Sequence, residues 1–302
     1  MDLARLGGAV HRVVVARQDG RPGRARQRRA AGGVRGVVAV DAVDDRRLDA
    51  ARGAAVLSGV RRNRPDSERR RADLDGLAAR AVNFDAADAP VTASDRRWHV
   101  DHGRALVGSE PPGDPVPDGD WERACAVVRG YQFTDHHRLR GVFRPADPLL
   151  GRDMLLEGRF GPLRFHLGVR VTDVVDTTRD GKRIWGWTYE TLDGHLERGR
   201  LTYEVVKDLA DGEVEFVIRA FSRPARIPNP FYRLGFGLFG RAVQLEFYHR
   251  AGQRVRDLLA GARSGHPLPE PVPGPDGVTV APAGSPRAAT DLVAHLVRHP
   301  GA

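Results

Sequence analysis

Strand-like segments separated by short turns are the feature that most constrains the fold of this chain. Within them apolar and polar residues alternate with a period of two, and Val, Ile, Phe, Trp and Tyr are frequent. Turn-forming sequences such as RDGK at 179–182 and ADG at 210–212 separate them. Strands joined so closely must pair as antiparallel hairpins, because a parallel crossover needs about a dozen residues or more. The predicted strands are 154–160, 163–176, 183–191, 195–208 and 213–222.

A long helix is predicted directly after the last strand. Asn229 followed by Pro230 combines a favoured N-cap residue with a proline at the first helical position. Apolar residues then recur at spacings of three and four as far as Leu259. The predicted fold class is α+β, an antiparallel β meander of about five or more strands packed on one long C-terminal helix. A shorter helix is predicted from Trp121, with Cys125 on its apolar face as a core residue.

Composition divides the chain into three regions. All 20 aromatic residues lie between Phe84 and Tyr248, whereas residues 1–80 hold 19 Arg, 10 acidic residues and no aromatic residue. A segment without aromatic residues has little apolar surface to offset the entropy cost of ordering its backbone. We therefore predict that residues 1–80 are a disordered or mis-annotated extension, 81–262 a single α+β domain and 263–302 a Pro-rich tail.

The net charge of +9 suggests an acidic partner, and its origin lies in the first 80 residues. Arg-rich runs at 21–29 and 61–71 could contact phosphates, but Asp residues are interleaved in this region and no aromatic side chain is present to stack on bases. Nucleic acid is therefore not an expected partner. No apolar stretch approaches the roughly 20 residues of a membrane span, and no secretory signal is visible, so we expect no membrane span and a cytoplasmic location.

The hairpin at 184–199 carries the residues best suited to a binding site. With LDG at 192–194 as a three-residue loop, Thr191 is predicted to lie opposite His195. The alternation of the two strands then places large aromatic residues and a few polar ones on one side of the sheet, a combination typical of small-molecule pockets. The predicted ligand-binding residues are Trp187, Tyr189, Thr191, His195 and Glu197.

Three functions remain open for this hairpin. A binding protein would use the aromatic face to hold a small hydrophobic ligand, the expected partner. A cyclase- or hydrolase-like enzyme would use His195 and Glu197 as an acid/base pair. A structural or interaction module would use the same polar groups only to hydrogen-bond one another. We expect binding rather than catalysis, and no metal or other cofactor, because two candidate ligands are fewer than the three or four that a metal site needs. The oligomeric state is left open.

Several segments resemble the uncharacterised domain-of-unknown-function family nineteen-ninety over about residues 81–260. They include RDMLLEGRF at 152–160, WGWTYETLDGHLERG at 185–199 and GEVEFVIRAFSRP at 212–224. The resemblance implies a START-like, helix-grip architecture, similar to that of lipid-binding proteins and polyketide cyclases, which is an analogy of fold alone. The function it favours is a helix-grip-like binding domain for a small apolar or aromatic ligand. Besides Tyr189, Thr191, His195 and Glu197, it marks Gly194, Gly199, Ser222 and Arg223 as family motif residues.

Overall fold

The structure, a computed structural model, describes residues 67–90, 95, 97–160, 163–225, 230–283 and 294–297. For 159–160, 163–164, 230–245 and 294–297 it describes the backbone alone. The predicted extension up to residue 66, the predicted N-cap residue Asn229 and most of the tail after residue 283 lie outside the described residues.

The described residues form three helices and nine strands. A single 3-10 turn, Ala86–Asp88, precedes the first strand. The helices are α1 (Ser67–Asp75), α2 (Asp120–Arg129) and α3 (Pro230–Arg263). The strands are β1 (His99–Ser109), β2 (Leu139–Phe143), β3 (Asp153–Phe160), β4 (Leu163–Arg179), β5 (Lys182–Thr191), β6 (Glu197–Asp208), β7 (Glu213–Pro224), β8 (Thr279–Ala281) and β9 (Ala294–Val297).

One sheet contains all of these strands, in the order β1-β7-β6-β5-β4-β3-β2-β8, with β9 alongside β4. Neighbours along this order pair antiparallel, and β9 runs parallel to the beginning of β4. The five predicted strands correspond to β3 to β7, so the antiparallel meander is confirmed. β2 and β8, with 5 and 3 residues, are too short for a period of two to stand out.

The long C-terminal helix α3 packs against β1 and β7 at one edge of the sheet. Tyr248, Val255 and Leu259 point from α3 into the main core. Gly252 faces Ala105 of β1, and a Cβ atom added at Gly252 would lie 2.5 Å from the Ala105 side chain. The absence of a side chain at Gly252 therefore lets the helix approach the strand. The predicted α+β, helix-grip-like arrangement of an antiparallel sheet and a C-terminal helix is confirmed.

Helix α2 covers part of the same face of the sheet. Trp121, Ala124, Cys125 and Val128 are all buried in the main core, at the helical spacing predicted for them. Burial raises the pKa of the Cys125 thiol well above its usual range, so this cysteine stays protonated. Its predicted place in the core is confirmed.

A buried ion pair attaches the loop before α2 to the sheet. Lys207 of β6 is 0% exposed, and its Nζ donates to Glu110 Oε2 at 2.8 Å and to the Asp114 carbonyl at 2.9 Å. Glu110 also accepts hydrogen bonds from the backbone N–H groups of Val116 and Trp121. Burial raises the pKa of Glu110, but these hydrogen bonds and the Lys207 charge outweigh it, so the net shift is downward and the carboxylate stays ionised.

Replacing Lys207 by Met should destabilise the fold by about 3–5 kcal/mol, because Glu110 would then be a buried charge without its cation. Lys182, the other lysine of the chain, is a matched control, since it is 38% exposed and pairs with Asp208 at 2.9 Å. Lys182→Met should cost less than about 1 kcal/mol. Urea denaturation of both variants measures the difference, and equal losses would contradict a special role for Lys207.

Helix α1 corrects the predicted domain boundary at residue 81. Leu74 and Leu77 are 2% and 0% exposed and lie in a second apolar cluster with Leu155 and Leu192. Leu77 packs closely on the sheet, since a Cβ atom added at Gly168 would lie 2.6 Å from it. Residues 67–80 are thus part of the fold. Composition averaged over 80 residues hid two leucines that are sufficient to anchor a short helix.

The predicted start of the tail at residue 263 is likewise corrected. Val278 is 6% exposed and Ala281 is 0% exposed. Strand β8, which contains Ala281, pairs with β2 at the edge of the sheet. The Pro-rich segment that precedes β8 therefore connects two parts of one fold.

Ion pairs fix α1 on the face of the sheet that points away from the main core, which we call the outer face. Arg70 Nε donates to Glu157 Oε1 at 2.6 Å, and Arg140 Nη2 donates to Glu157 Oε2 at 2.5 Å. Burial alone raises the pKa of Glu157, but the charge and hydrogen bond of Arg70, with the charges of Arg140 and His166, lower it to about 2. The ionised Glu157 is thus bonded to both the helix and the neighbouring strand.

We predict a stability change in acid that originates at Glu157. Its folded-state pKa of about 2 lies below the ordinary value of 4.5, so the ionised group stabilises the fold above pH 4.5, and the stabilisation is lost as the pH falls towards 2. At pH 7, Glu157→Gln should be less stable than the original protein by about 3 kcal/mol, and the gap should shrink on acidification.

Urea denaturation at pH 7, 5 and 3 measures this gap. The control is Glu215→Gln, which removes the partner of a half-exposed Arg104 and should cost less than about 1 kcal/mol at each pH. A gap for Glu157→Gln that stays constant from pH 7 to pH 3 would contradict the assignment.

Candidate functional site

The aromatic face predicted on the hairpin lies in the main core. In the register of β5 with β6, Trp187 lies opposite Tyr203 and Tyr189 opposite Leu201. All four are buried, with exposed fractions from 0% to 9%. The indole N–H of Trp187 donates to the carbonyl of Val128 at 3.3 Å, in the last turn of α2. Trp187 therefore fastens α2 to the sheet, and Tyr189 lies nearer the end of the hairpin.

The predicted register at the tip of the hairpin is wrong. β5 ends at Thr191 and β6 begins at Glu197, so the loop has five residues rather than three. Thr191 Oγ1 accepts a hydrogen bond from the N–H of Gly199 at 2.9 Å, which places Thr191 next to Gly199 rather than opposite His195. The longer loop arises because its residues Leu192 and Leu196 are buried, at 0% and 7% exposure. Burying two leucines outweighs the preference for a tighter turn.

His195 is buried and hydrogen-bonded to the backbone of its own loop. Its Nδ1 accepts from the N–H of Glu197 at 2.9 Å and lies 3.1 Å from the Glu197 carbonyl oxygen. An unprotonated Nδ1 accepts the Glu197 N–H, and a protonated Nδ1 donates to the Glu197 carbonyl oxygen. These contacts stabilise the turn through the main chain of Glu197. Acid/base work by the two side chains stays a prediction.

Asn83 is a residue of this site that the predicted set omitted. Its Oδ1 accepts from the Thr191 hydroxyl at 2.7 Å, and its Nδ2 donates to the carbonyl of Glu197 at 2.9 Å. The backbone N–H of Asn83 also donates to the Thr191 carbonyl. Asn83 therefore connects the two strands of the hairpin across its loop.

The four motif residues do not form one cluster. Gly194 adopts a positive φ of 90° in the loop, and a side chain at Gly199 would overlap the Phe221 carbonyl oxygen of β7. Ser222 lies opposite Gly199 and is 6% exposed. Arg223 points to the other face of the sheet, where its guanidinium carbon lies 4.3 Å from the ring centre of Trp98. Gly194, Gly199 and Ser222 thus belong to the hairpin region, and Arg223 belongs to the outer face.

A cluster of tyrosines forms where α2 meets the core face of the sheet. Tyr131 follows α2 with a positive φ of 55°, and the N–H groups of Tyr131 and Gln132 donate to Val128 and Val127 in a Schellman-type cap. Glycine is the usual residue at this position, so the tyrosine costs about 1–2 kcal/mol of backbone strain. The Tyr131 ring lies 6.3 Å from that of Tyr203, which lies 5.9 Å from that of Tyr189.

The three hydroxyls of this cluster interact with one another, since hydrogen bonding of Tyr203 with Tyr131 and with Tyr189 contributes to their pKa values. Tyr131 and Tyr203 are 0% exposed, and burial raises the pKa of each well above its usual range. A shared network of this kind lowers the cost of burying hydroxyl groups in an apolar core. Sequence patterns did not single out Tyr131.

Two other places among the described residues could hold small ligands. A surface pocket of about 310 Å³ lies between the end of α1 and the β2–β3 loop, lined by Leu74, Arg144 and Arg152 among others, and it contains none of the predicted site residues. Asp135, His136 and His137 hold potential metal-ligating atoms within 4.8 Å of one another. Arg138 and Arg250 approach the Asp135 carboxylate at 3.9 and 3.6 Å, and their charges oppose a bound cation.

Comparison with known proteins places this chain in a family. The family model described as "Domain of unknown function (DUF1990)" matches residues 85–254, which is more than half of the chain. The chain belongs to this family. The DUF1990 match includes the hairpin, the tyrosine cluster and α3 as far as residue 254. No curated protein matches the sequence. Among the described helices, none combines the length and apolar character that crossing a membrane requires.

Solved structures with similar chain traces share little sequence with this DUF1990 protein. Ara h 8.0201 has 8% identity and a TM-score of 0.31, with 53% of this chain and 99% of that chain covered. A norcoclaurine synthase mutant from Thalictrum flavum, in complex with a transition-state analogue, has 7% identity and a TM-score of 0.37, covering 55% and 96%. Human STARD10 has 10% identity and a TM-score of 0.32, covering 75% and 97%. These scores are too low to transfer a ligand or an activity.

Substitutions at His195 separate a turn-stabilising role from a chemical one. Asn offers a side-chain oxygen that can accept the Glu197 N–H as Nδ1 does, whereas Leu offers none. His195→Leu should therefore lose about 1 kcal/mol in urea denaturation, and His195→Asn should lose markedly less. Equal losses for the two variants would show that the hydrogen bond to Glu197 does not stabilise the turn.

Proposed function

We propose that this protein binds a small apolar or aromatic ligand between the core face of the sheet and α3. The ligand lies towards the hairpin end of that face, near Tyr189, Thr191, His195 and Glu197, with Trp187 at the inner boundary. Binding, rather than turnover, is the activity that this arrangement supports best.

The observation that carries the proposal is the change in side chains along the core face. Beneath α2 the face holds large rings such as Tyr203 and Phe216, which contact one another with ring centres 6.1 Å apart. Towards the hairpin end the same face holds small residues, namely Gly199, Ala220 and Ser222 on β6 and β7. Small side chains between a sheet and a helix favour a space that a ligand can occupy, and buried polar groups beside them can orient it.

Polar groups of two kinds border this end of the face. Thr191 and the backbone of Glu197 are bonded to Asn83, which makes the border rigid. Asp101 of β1 is 5% exposed and accepts a hydrogen bond from Tyr248 of α3 at 3.4 Å. A rigid polar border around an apolar floor restricts the orientation of a ligand at little entropic cost.

The predicted acid/base pair receives less support. The two contacts of the His195 Nδ1 with Glu197 run to its main chain, one to the N–H and one to the carbonyl oxygen. An acid/base pair needs both side chains to act on the same substrate, whereas a ligand-orienting role needs only one polar contact between His195 and the ligand.

A cavity-filling substitution tests the proposal. If the space beside Ala220 exists, Ala220→Leu should fill it, leave the stability within about 0.5 kcal/mol of the original protein and reduce ligand binding. Ala124, which is 0% exposed on the buried side of α2, is the matched control, and Ala124→Leu should lose about 1–3 kcal/mol through overpacking.

Native mass spectrometry of the purified protein, followed by solvent extraction, measures bound ligand, and 8-anilinonaphthalene-1-sulfonate serves as a fluorescent probe of the site. We expect an extra mass or probe binding in the original protein and a loss of either in Ala220→Leu. If both variants are equally destabilised and neither ligand nor probe binds to the original protein, the proposal is wrong.

A further inference from the structure

We infer that the surface pocket between the end of α1 and the β2–β3 loop is a second binding site, which takes a small organic carboxylate by pairing it with the guanidinium of Arg152. None of the residues proposed to hold a ligand between the sheet and α3 lines this pocket. The inference therefore goes beyond the proposed function and does not depend on it.

The pocket combines a suitable size with apolar walls. Its volume of about 310 Å³ is at the lower end of the range for ligand pockets, roughly 300 to 1,000 Å³. Leu74, Pro148 and Leu150 belong to its lining. Leu150 is 59% exposed and is one of three exposed large apolar side chains among the described residues. Covering Leu150 with the body of a ligand would remove apolar surface from water, which favours binding.

The same pocket contains a buried positive charge that no carboxylate neutralises. Arg152 is 8% exposed and forms no ion pair with a carboxylate in the part of the chain that the structure describes. Lys207, by contrast, is buried together with its partner Glu110. An arginine stays protonated in proteins, so Arg152 cannot avoid the cost of burial by losing its charge. An anion bound in the pocket would supply the missing opposite charge.

The contacts of Arg152 orient its side chain without neutralising it. Its Nη2 donates to the carbonyl of Pro145 at 3.4 Å and to that of Asp147, whereas its buried Nε has no hydrogen-bond partner. Its Cζ lies 5.2 Å from the centre of the Phe143 ring. Two neutral carbonyls and an aromatic ring therefore hold the guanidinium in place, and some of its five N–H donors remain available to a ligand.

Two of the three carboxylates that line the pocket already have an arginine partner. Asp75 pairs with Arg144, and Asp153 pairs with Arg170 at 2.7 Å. Each of these pairs is neutral as a whole, so neither provides the negative charge that Arg152 lacks.

The third carboxylate, Asp147, decides which kind of anion suits the pocket. Burial lowers the pKa of Arg152 and the charge of Asp147 raises it by less, so the net shift is downward and Asp147 does not offset the burial. Asp147 nevertheless repels other anions, and it repels a doubly charged group such as a phosphate monoester about twice as strongly as a singly charged one. A carboxylate on an apolar or aromatic body therefore fits this pocket best.

Two probes with the same ring system and different charge test the inference, 2-naphthoate and 2-naphthamide. Isothermal titration of the full chain at pH 7 and low salt should show 2-naphthoate binding at least about tenfold more tightly, because only the carboxylate forms charge-assisted hydrogen bonds with Arg152.

Variants of the pocket locate the bound probe. Leu150→Glu adds a negative charge to the wall and should remove the preference for 2-naphthoate, with an unchanged midpoint of urea denaturation because Leu150 is exposed. Val272→Glu is the matched control, since Val272 is 77% exposed and does not line the pocket, and it should keep the preference. Arg152→Gln should also remove the preference, with a lower midpoint because the hydrogen bonds to the loop are lost.

Ala220→Leu separates this pocket from the space proposed between the sheet and α3, and it should bind 2-naphthoate as tightly as the original protein does. Loss of 2-naphthoate binding in Ala220→Leu would overturn the inference and support the proposed function, since the probe would then occupy that other space. Equal binding of the two probes, binding of neither, or a preference that survives in Leu150→Glu would overturn the inference and leave the proposed function intact.

Discussion

The buried pair of Lys207 and Glu110 is the interaction on which the core face depends. The Lys207 side chain extends from β6 and donates to the Glu110 carboxylate. The same carboxylate accepts a hydrogen bond from the N–H of Trp121 in the first turn of α2. A charged pair of this kind is not an efficient source of stability, because burying both groups costs nearly as much as their attraction returns. Its effect is positional, since a displaced α2 would leave two charges buried without partners. The pair thus fixes where α2 begins on the sheet.

The other end of α2 is fixed by neutral contacts, and the two ends together place the tyrosines. The indole N–H of Trp187 donates to the Val128 carbonyl, which also accepts the N–H of Tyr131 in the cap of α2. Tyr203 lies four residues before Lys207 on the same face of β6, so one strand carries both the ion that anchors α2 and the ring that meets Tyr131 after α2. The Lys207–Glu110 pair and the tyrosine cluster therefore lie at the two ends of one helix of ten residues, so a shift of α2 would disturb both.

Local patterns predicted the fold better than the site. The period of two, the turn residues and the helical spacing are properties of neighbouring positions, so β3 to β7 and the presence of α3 could be predicted from them. The loop after Thr191 could not, because its length depends on Leu192, which forms a bridge to Val82 more than a hundred residues earlier in the chain. The same holds for Leu77, whose partners lie on β2, β3 and the hairpin loop, and for Tyr131, whose importance comes from a contact with β6. Each of these depends on long-range packing that no sequence window contains.

The polar groups of the core face fall into those that stabilise the hairpin and those that lie inside the aromatic cluster. Thr191 and Asn83 are bonded to each other, and each also bonds to the backbone of β6, so these contacts maintain the hairpin. The hydroxyls of Tyr131, Tyr189 and Tyr203 interact with one another inside the aromatic core instead. Gly at residue 131 would relieve the strained backbone but would remove the ring that packs against Phe133 and Trp187. The packing of the Tyr131 ring therefore offsets the strain of its backbone, and the same ring closes the core where α2 ends.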